Sequence, residues 1–232
     1  MSDDQPPLPL GWEVANIEDI ARTGTGGTPR RNHDEYYGGS IPWVKSGDLN
    51  DGLVTAAEEF ITPEGLQNSN AKIFKKGSIC VALYGATVGK LGVLDMDAAT
   101  NQAVCGIFPE ESIEPQFVFH ALRNLRSELI DQAQGGAQPN ISNGIIKKTE
   151  LPLPPLPEQR RIVSKIEALQ ERSGRAAKAL AEVGPLLEQF RQSILAAAFS
   201  GRLTADWREK RRTFVEDEPR RMDIPVRRSS HE

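Results

Sequence analysis

Residues 151–201 read LPLPPLPEQRRIVSKIEALQERSGRAAKALAEVGPLLEQFRQSILAAAFSG. After the prolines, apolar residues recur at alternating spacings of four and three through five heptads, which predicts a long helix with one apolar seam. A fully helical seam extends over roughly 54 Å at about 1.5 Å per residue. Such a helix needs a partner helix, from the same chain or from another, to cover its seam. The seam, in which only one residue is polar, consists of Ile162, Ile166, Leu169, Ser173, Ala176, Leu180, Val183, Leu187, Phe190, Ile194 and Ala197.

Both ends of this helix are marked in the sequence. Pro157 suits the first turn, and Glu158 places a negative charge at the positive end of the helix dipole. Ser200-Gly201 predicts the C-terminal end. Gly184-Pro185 interrupts the middle, because proline removes a backbone hydrogen bond and clashes with the preceding turn. The seam stays in phase across this pair, which predicts a kink or two stacked helices; a chain reversal that pairs the two halves as a hairpin is the alternative.

Composition limits the class of protein. A chain of 232 residues has room for one medium domain with extensions. No apolar run is long enough to span a membrane, and the acidic, proline-rich start does not have the pattern of a signal peptide. Cys80 and Cys105 both lie in apolar runs, so we expect buried thiols rather than a disulfide. Together these features predict a cytoplasmic protein.

Charge is divided unevenly along the chain. Residues 1–150 contain 12 Lys and Arg against 20 Asp and Glu, whereas residues 151–232 contain 16 against 12. An acidic globular part argues against loose, nonspecific binding of nucleic-acid phosphates. Any nucleic-acid site in residues 1–150 must therefore be a local basic surface.

The first 150 residues read as short apolar strands separated by polar or glycine-rich loops. Loops that directly follow buried strands are favourable places for binding residues. Three of them carry basic side chains: GTGGTPRR at 24–31, KSGD at 45–48 and YGATVGK at 84–90. A fourth loop, GGAQPNISN at 135–143, is rich in amides, and Asn101 follows another apolar run. The plainer interpretation of each loop is a solvated turn or hairpin.

No catalytic constellation is present in the sequence. The three histidines and two cysteines lack metal-ligand spacing, and no Gly-x-Ser-x-Gly occurs. The run from Gly85 to Lys90 is one residue shorter than a P-loop, and Leu91 replaces the hydroxyl that would hold Mg²⁺. We interpret the paired carboxylates Glu58-Glu59 as a solvated loop. These absences predict a binding or assembly protein without a metal site or a cofactor of its own.

Seven short motifs follow one another along the chain: GGTPRR, IPWVKSGDL, GSICVALYGATVGKLGVL, TNQAV, QPNIS, ELPLPPLPEQRRIVSKIEAL and FRQSILAAAFSGRLTADW. Their order resembles that in the specificity subunits of type I restriction-modification systems. The resemblance covers about residues 8–208.

The resemblance implies an α+β fold in which a mixed α/β target recognition domain precedes a long, coiled-coil-forming helix. We assign residues 1–156 to the recognition domain, 157–201 to the helix and 202–232 to a charged, flexible tail. The family's specificity subunit is not catalytic. Its implied partners are double-stranded DNA, methyltransferase subunits and a restriction motor subunit, so S-adenosylmethionine and ATP are expected only on those partner subunits.

The chain departs from the family pattern, which has two recognition domains and two helices in tandem. Here there is one of each, which suggests a half-subunit or a truncated form. The ten apolar seam residues are then expected to pair with a second copy in a two-fold, antiparallel dimer that reads inverted repeats. The alternatives are the intrachain hairpin and an assembly or inhibitory scaffold that docks partner subunits without reading DNA.

Within the recognition domain we expect phosphate contacts from basic side chains and glycine-loop amides, and base contacts from hydroxyls and amides. The predicted DNA-contacting residues are Thr28, Arg30, Arg31, Lys45, Ser46, Tyr84, Gly85, Ala86, Thr87, Lys90, Asn101, Gln138 and Asn140.

Overall fold

The computed structural model describes residues 7–133 and 140–212. The chain forms two compact units that divide between Ala168 and Leu169. The described strands are β1 (Glu13–Asn16), β2 (Ala21–Thr25), β3 (Tyr37–Val44), β4 (Gly52–Val54), β5 (Glu59–Ile61), β6 (Ile73–Phe74), β7 (Ile79–Ala82), β8 (Leu91–Leu94), β9 (Ala98–Thr100), β10 (Val104–Pro109) and β11 (Glu150–Leu153). The described α-helices are α1 (Ile17–Ile20), α2 (Pro63–Gln67), α3 (Pro115–Asn124), α4 (Arg126–Asp131), α5 (Asn143–Lys147), α6 (Leu156–Phe199) and α7 (Ala205–Arg212).

The described strands of the first unit form three sheets. The five-stranded sheet has the order β2-β10-β7-β8-β4, and the four-stranded sheet has the order β5-β3-β9-β6. Neighbouring strands are antiparallel except for β4 with β8 and β3 with β9, which are parallel. β1 and β11 form a separate antiparallel pair that brings the start of the chain to the strand preceding α6.

The five-stranded sheet is buried on both faces, which explains why β7 is apolar at every position. Ile79 and Val81 face the largest core cluster, together with side chains of α3 and α4. Cys80 and Ala82 face a second cluster that also contains Val44 and Phe74. The unit therefore has the mixed α/β organisation that was predicted, with its core on both sides of one sheet.

The two cysteines lie on opposite faces of this sheet, because Cys80 belongs to the second cluster and Cys105 to the first. Both thiols are free and fully buried, as predicted. Burial raises the pKa of Cys105 to about 12 and raises the pKa of Cys80 as well. Neither thiol is available as a nucleophile at neutral pH.

The long helix α6 has 44 residues and contains Pro185 in its interior. The predicted helix is confirmed, and the hairpin alternative is wrong, because the chain continues in helical geometry through Gly184. Residues 181–185 are all exposed. The Ala181 carbonyl that loses its partner at Pro185 therefore lies in an exposed stretch, where water can replace the lost hydrogen bond.

The first turns of α6 pack on the strands and helices that precede this helix. Gln159 is buried, and its side chain accepts from the Glu114 backbone N–H at 2.9 Å and donates to the Pro154 carbonyl at 2.8 Å. Val163 is buried in the largest core cluster, and the seam residue Ile162 packs partly against the same cluster. This end of the helix is thus fixed to the domain, and Ile162 already has apolar neighbours.

The other end of α6 terminates where the sequence predicted. Gly201 adopts a φ of 75°, and a 3-10 turn at Arg202–Thr204 leads into α7. Arg208 of α7 donates to Thr204 Oγ1 at 2.8 Å and also to the Gly201 carbonyl. Part of the predicted flexible tail is therefore helical as far as Arg212, and residues 213–232 lie outside the described residues. Among the helices in the described ranges, none is both long and apolar enough to cross a membrane.

Candidate nucleic-acid interface

Two polar segments leave the four-stranded sheet side by side. The parallel strands β3 and β9 are aligned at Trp43 with Ala99 and at Val44 with Thr100. The next residue after β9, Asn101, donates its backbone N–H to the Val44 carbonyl at 3.1 Å. The loop Lys45–Asp48 and the turn Asn101–Ala103 therefore begin at the same edge.

Backbone hydrogen bonds connect two further segments to this turn. Leu83 N–H donates to the Ala103 carbonyl at 2.8 Å, and Ile141 N–H donates to the Leu83 carbonyl at 2.7 Å. Tyr84 forms an isolated antiparallel bridge with Asn140. The glycine loop, Tyr84–Lys90, thus starts beside Asn140 and beside the turn.

The fifth segment is Gly26–Arg31. Gly27 N–H donates to the Thr100 carbonyl at 2.9 Å, and the Thr28 hydroxyl donates to the Gln102 side chain. A Cβ on Gly26 would lie 2.1 Å from the Thr100 carbonyl oxygen, so only glycine permits this approach. We call these five segments the loop edge: 26–31, 45–48, 84–90, 101–103 and 140–141. The predicted DNA-contacting residues all lie in these five segments except Gln138, which lies outside the described residues.

The glycine loop presents backbone amides at its tip. Gly85 and Ala86 are exposed, and Gly85 has a φ of 85°. Within the described residues, the backbone N–H groups of Ala86 and Thr87 have no hydrogen-bond acceptor. Free amides at the tip of a loop are suitable donors for a phosphate oxygen.

Arg126 and Asp51, which the sequence analysis did not select, pack against this loop. Arg126 forms a bidentate ion pair with Asp51, and Asp51 Oδ1 also accepts from the Leu91 backbone N–H at 3.0 Å. A Cβ on Gly89 would lie 3.1 Å from Arg126 Cγ, so the loop packs directly on this side chain. Burial raises the pKa of Asp51, but the hydrogen bonds from Arg126 and Leu91 outweigh burial and leave this pKa below its ordinary value.

Two of the predicted phosphate contacts are already paired with carboxylates. Arg31 Nη1 lies 2.9 Å from Glu59 Oε2, and Lys45 Nζ lies 2.9 Å from Glu59 Oε1 and 3.3 Å from Glu58 Oε2. Hydrogen bonds from Arg31 and then from Lys45 lower the pKa of Glu59. The interpretation of Glu58-Glu59 as a solvated loop is therefore wrong for Glu59, which begins β5 and binds two cations.

Other cations at or beside the loop edge are unpaired. Arg30 and Lys90 are exposed, and so is Lys72, which the sequence analysis did not select. In the described ranges, none of the three has a carboxylate within 4.0 Å. These side chains are the sources of positive potential that remain for a nucleic-acid backbone.

The predicted base-contacting residues differ in their exposure and in whether their side chains already form hydrogen bonds. Asn101 Oδ1 accepts from the Ala103 backbone N–H at 3.2 Å, so this side chain stabilises the turn. Asn140 is exposed, and Ser46, Tyr84 and Thr87 are half-buried. Gln102 was missed by the sequence analysis, although it stands in the motif TNQAV directly after a buried strand. It contributes to a cleft of about 530 Å³ that is lined by Thr25, Gly26, Gly27, Thr28, Asn70, Lys72 and Gln102.

A family model described as the type I restriction modification DNA specificity domain matches residues 9–182. The chain therefore belongs to this family, as its motifs predicted. It is 28% identical over 162 residues to the type I restriction enzyme MjaIX specificity subunit of Methanocaldococcus jannaschii, covering 68% of this chain and 37% of that protein. It is 28% identical over 157 residues to the EcoR124I/EcoR124II specificity subunit of Escherichia coli, covering 65% of this chain and 39% of that protein.

Solved structures share the fold. The crystal structure of the HsdS subunit from Thermoanaerobacter tengcongensis superimposes with a TM-score of 0.67 at 23% identity, covering 86% of this chain and 47% of that one. A structure concerning complex assembly and conformational transition of the type I R-M system gives a TM-score of 0.69 at 23% identity, covering 85% and 48%. The mixed α/β domain followed by a long helix is confirmed. The chain spans less than half the length of each of these relatives.

Proposed function

We propose that this chain is the non-catalytic DNA-recognition element of a type I restriction-modification complex. The observation that carries the proposal is the convergence of five polar segments on one edge of the recognition domain. In this proposal α6 serves as the spacer that positions methyltransferase and restriction subunits, and those subunits supply S-adenosylmethionine and ATP chemistry.

In this proposal, DNA phosphates and bases are contacted by different groups at or beside the loop edge. The DNA backbone is bound by groups that are exposed and unpaired, namely Arg30, Lys72, Lys90 and the free amides of the glycine loop. Gln102 and Asn140 contact base edges, for which a side-chain amide provides a donor and an acceptor together. Thr28 restricts the orientation of the Gln102 amide through its hydroxyl hydrogen bond.

The seam of α6 supports pairing with a second copy. Its large side chains from Leu169 to Ile194 are between 39% and 74% exposed, which leaves a continuous apolar stripe in need of cover. Charge favours an antiparallel arrangement. Residues 156–181 contain six Lys and Arg against three Glu, whereas residues 182–199 contain one Arg against two Glu. Antiparallel pairing places the basic half of one helix beside the acidic half of the other, and parallel pairing places like charges together.

One antiparallel register also matches side-chain size. The seam residues alternate between heptad positions a and d. Position a is held by Ile166, Ser173, Leu180, Leu187 and Ile194, and position d by Leu169, Ala176, Val183, Phe190 and Ala197. When the two-fold axis lies between Leu180 and Val183, each small residue of the seam faces a large one. The resulting layers pair Leu180 with Val183, Ala176 with Leu187, Ser173 with Phe190, Leu169 with Ile194, and Ile166 with Ala197.

The proposed dimer predicts the symmetry of the DNA target. Each recognition domain is attached at the start of its own helix, so antiparallel helices hold two identical readers at opposite ends of the pair. Two identical readers related by a two-fold axis recognise an inverted repeat with an unread spacer between the half-sites.

The test is to assemble the chain with its cognate methyltransferase subunit and to map the adenines that become methylated in random-sequence DNA. We expect one bipartite inverted repeat. A single, asymmetric half-site would contradict the dimer but not the reading of DNA. Methylation without any sequence preference would contradict the recognition function itself.

A second candidate function is an assembly or inhibitory scaffold that docks partner subunits through α6 without reading DNA. The neutralisation of Arg31 and Lys45 by Glu58 and Glu59 favours this candidate, because it removes two cations from the available phosphate contacts. Sequence-selective retardation of a duplex by the assembled complex distinguishes the two functions, since a scaffold leaves target and scrambled duplexes equally mobile.

A further inference from the structure

We propose that Glu59 is a specificity-determining residue, which keeps Arg31 and Lys45 from binding the phosphates of non-target DNA. The inference rests on the proposed DNA-reading function. In this view Arg31 and Lys45 leave Glu59 and bind DNA phosphates only at the target sequence. There, base contacts at the loop edge offset the loss of the two ion pairs with Glu59.

The carboxylate of Glu59 is shared between two segments of the loop edge. Its Oε2 binds Arg31 from segment 26–31, and its Oε1 binds Lys45 from segment 45–48, each at 2.9 Å. Glu58 adds a second, longer contact to Lys45 at 3.3 Å. The four side chains carry no net charge together, so this part of the edge does not attract a polyanion.

The network is held in place by the sheet. Glu59 begins β5 and is aligned with Trp43 of β3. The Arg31 guanidinium lies over the rings of Tyr37 and Trp43, with its carbon 4.6 and 5.1 Å from their centroids. Tyr37 donates its hydroxyl to the Pro29 carbonyl at 2.6 Å, and Trp43 donates its ring N–H to the Gly27 carbonyl at 3.1 Å. The guanidinium is thereby fixed between aromatic rings and a carboxylate.

A phosphate is the natural competitor for this carboxylate. A phosphate can present two oxygens to a guanidinium, whereas Glu59 presents only Oε2 to Arg31, because its Oε1 binds Lys45. Glu59 is 33% exposed on its side chain, and a cleft of about 310 Å³ lined by Arg31, Tyr37, Glu58 and Glu59, among others, opens beside it. Exchange leaves the Glu59 carboxylate unpaired next to a DNA backbone, which is unfavourable. Non-target DNA offers nothing to offset that loss, whereas target DNA adds base contacts.

The test compares Glu59→Gln with the parent chain, each assembled with the methyltransferase subunit, on the mapped target duplex and on a scrambled duplex over a range of salt. Releasing two cations is expected to add up to two phosphate contacts on scrambled DNA. Each phosphate contact changes the slope of log affinity against log salt concentration by about −0.9. The variant's affinity for scrambled DNA should therefore fall about tenfold more than the parent's between roughly 50 and 200 mM salt. At low salt the preference for the target should shrink, because scrambled DNA gains more than the target.

The matched control is Glu64→Gln, which removes the same charge from an exposed position of α2. Equal behaviour of Glu64→Gln and Glu59→Gln would reduce the effect to overall charge and would overturn the proposal. Glu58→Gln tests the same idea at a side chain that is 76% exposed. Because Lys45 keeps its shorter bond to Glu59 in this variant, the change in salt slope is expected to be smaller than in Glu59→Gln. A parent that does not discriminate target from scrambled DNA would contradict the proposed function. A discriminating parent with an unchanged ratio in both Glu58→Gln and Glu59→Gln would contradict this inference only.

Discussion

Arg126 and Asp51, which no sequence motif marks, determine the position of the glycine loop. They are 75 residues apart in the chain, and their side chains are roughly three-quarters buried. Asp51 also has a φ of 64°, a conformation that asparagine and aspartate tolerate better than most residues. The pair therefore joins α4 to the turn before β4 beneath the loop.

The first prediction concerns the pH dependence of this pair. Because the pKa of Asp51 is lowered in the folded chain from its ordinary value of 3.8, the ion pair stabilises the fold above about pH 4. The stabilisation is lost as the pH falls through the lower, folded-state pKa. We expect Asp51→Asn to reduce the free energy of unfolding by about 2 kcal/mol at neutral pH. The difference from the parent should decrease under acid conditions, as measured by denaturant unfolding at several pH values. A difference independent of pH would contradict the ion-pair explanation.

The second prediction concerns base reading by Gln102. Gln102→Ala removes a side-chain amide from the loop edge, so we expect binding of the target duplex to weaken by about 1–3 kcal/mol. Binding of a scrambled duplex should not change, because no phosphate contact is lost. Gln67→Ala, on the exposed side of α2, is the control. Equal weakening on both duplexes would assign Gln102 to backbone contact rather than to base reading.

The sequence predicted which segments form the loop edge but not how their charges combine. Each basic loop follows or precedes a recognisable apolar strand, and strands that pair bring such loops together. The partners of Arg31 and Arg126 depend instead on which strands become neighbours, and hence on contacts across 28 and 75 residues. Asn101 and Gln102 have the same side-chain chemistry, and only the structure shows that Asn101 Oδ1 accepts from the Ala103 backbone N–H.

The helix α6 was the most predictable element, because its heptad period extends through five repeats. Its continuity across Gly184-Pro185 was the open question, since proline disfavours a helix interior while an unbroken seam phase favours it. The helix is fixed at one end by the packing of Gln159 and Val163, and it ends at the left-handed Gly201. Between these ends it accommodates Pro185 at an exposed position.

The third prediction concerns Pro185. Proline costs about 3 kcal/mol relative to alanine in a helix interior, so Pro185→Ala should raise the stability of α6 by about 1–3 kcal/mol. Thermal unfolding followed by circular dichroism measures the gain. Gly174→Ala, at another exposed helical position, is expected to give about 1 kcal/mol. Loss of helical signal in Pro185→Ala would indicate that the proline has a structural role of its own.

The fourth prediction concerns the seam. Leu180 lies next to the proposed two-fold axis, so Leu180→Glu introduces two charges into the centre of the dimer and should give a monomer by light scattering. Leu195 is 57% exposed but lies outside the seam at heptad position b. Leu195→Glu should therefore remain dimeric. A parent chain that is monomeric at all concentrations would contradict the proposed dimer directly.

In the proposed dimer the seam and the loop edge depend on each other, because recognition of an inverted repeat requires both recognition domains to be held together. A fifth prediction follows for DNA binding. The parent should bind a duplex with two half-sites about 10²–10⁴-fold more tightly than a duplex with one, because the second half-site is bound at high effective concentration. Leu180→Glu should bind both duplexes with the affinity of a single half-site. Retention of the two-site advantage in Leu180→Glu would show that something other than the seam joins the readers.

The burial of both native cysteines makes this protein convenient for distance measurements. Cys80 and Cys105 are the only thiols in the sequence, and each is fully buried on its own face of the sheet. Maleimide and methanethiosulfonate reagents will therefore leave the folded parent unmodified. A single cysteine introduced on α6 becomes the sole attachment point for a spin label, and pulsed electron resonance between two copies then reports their register without any background to remove.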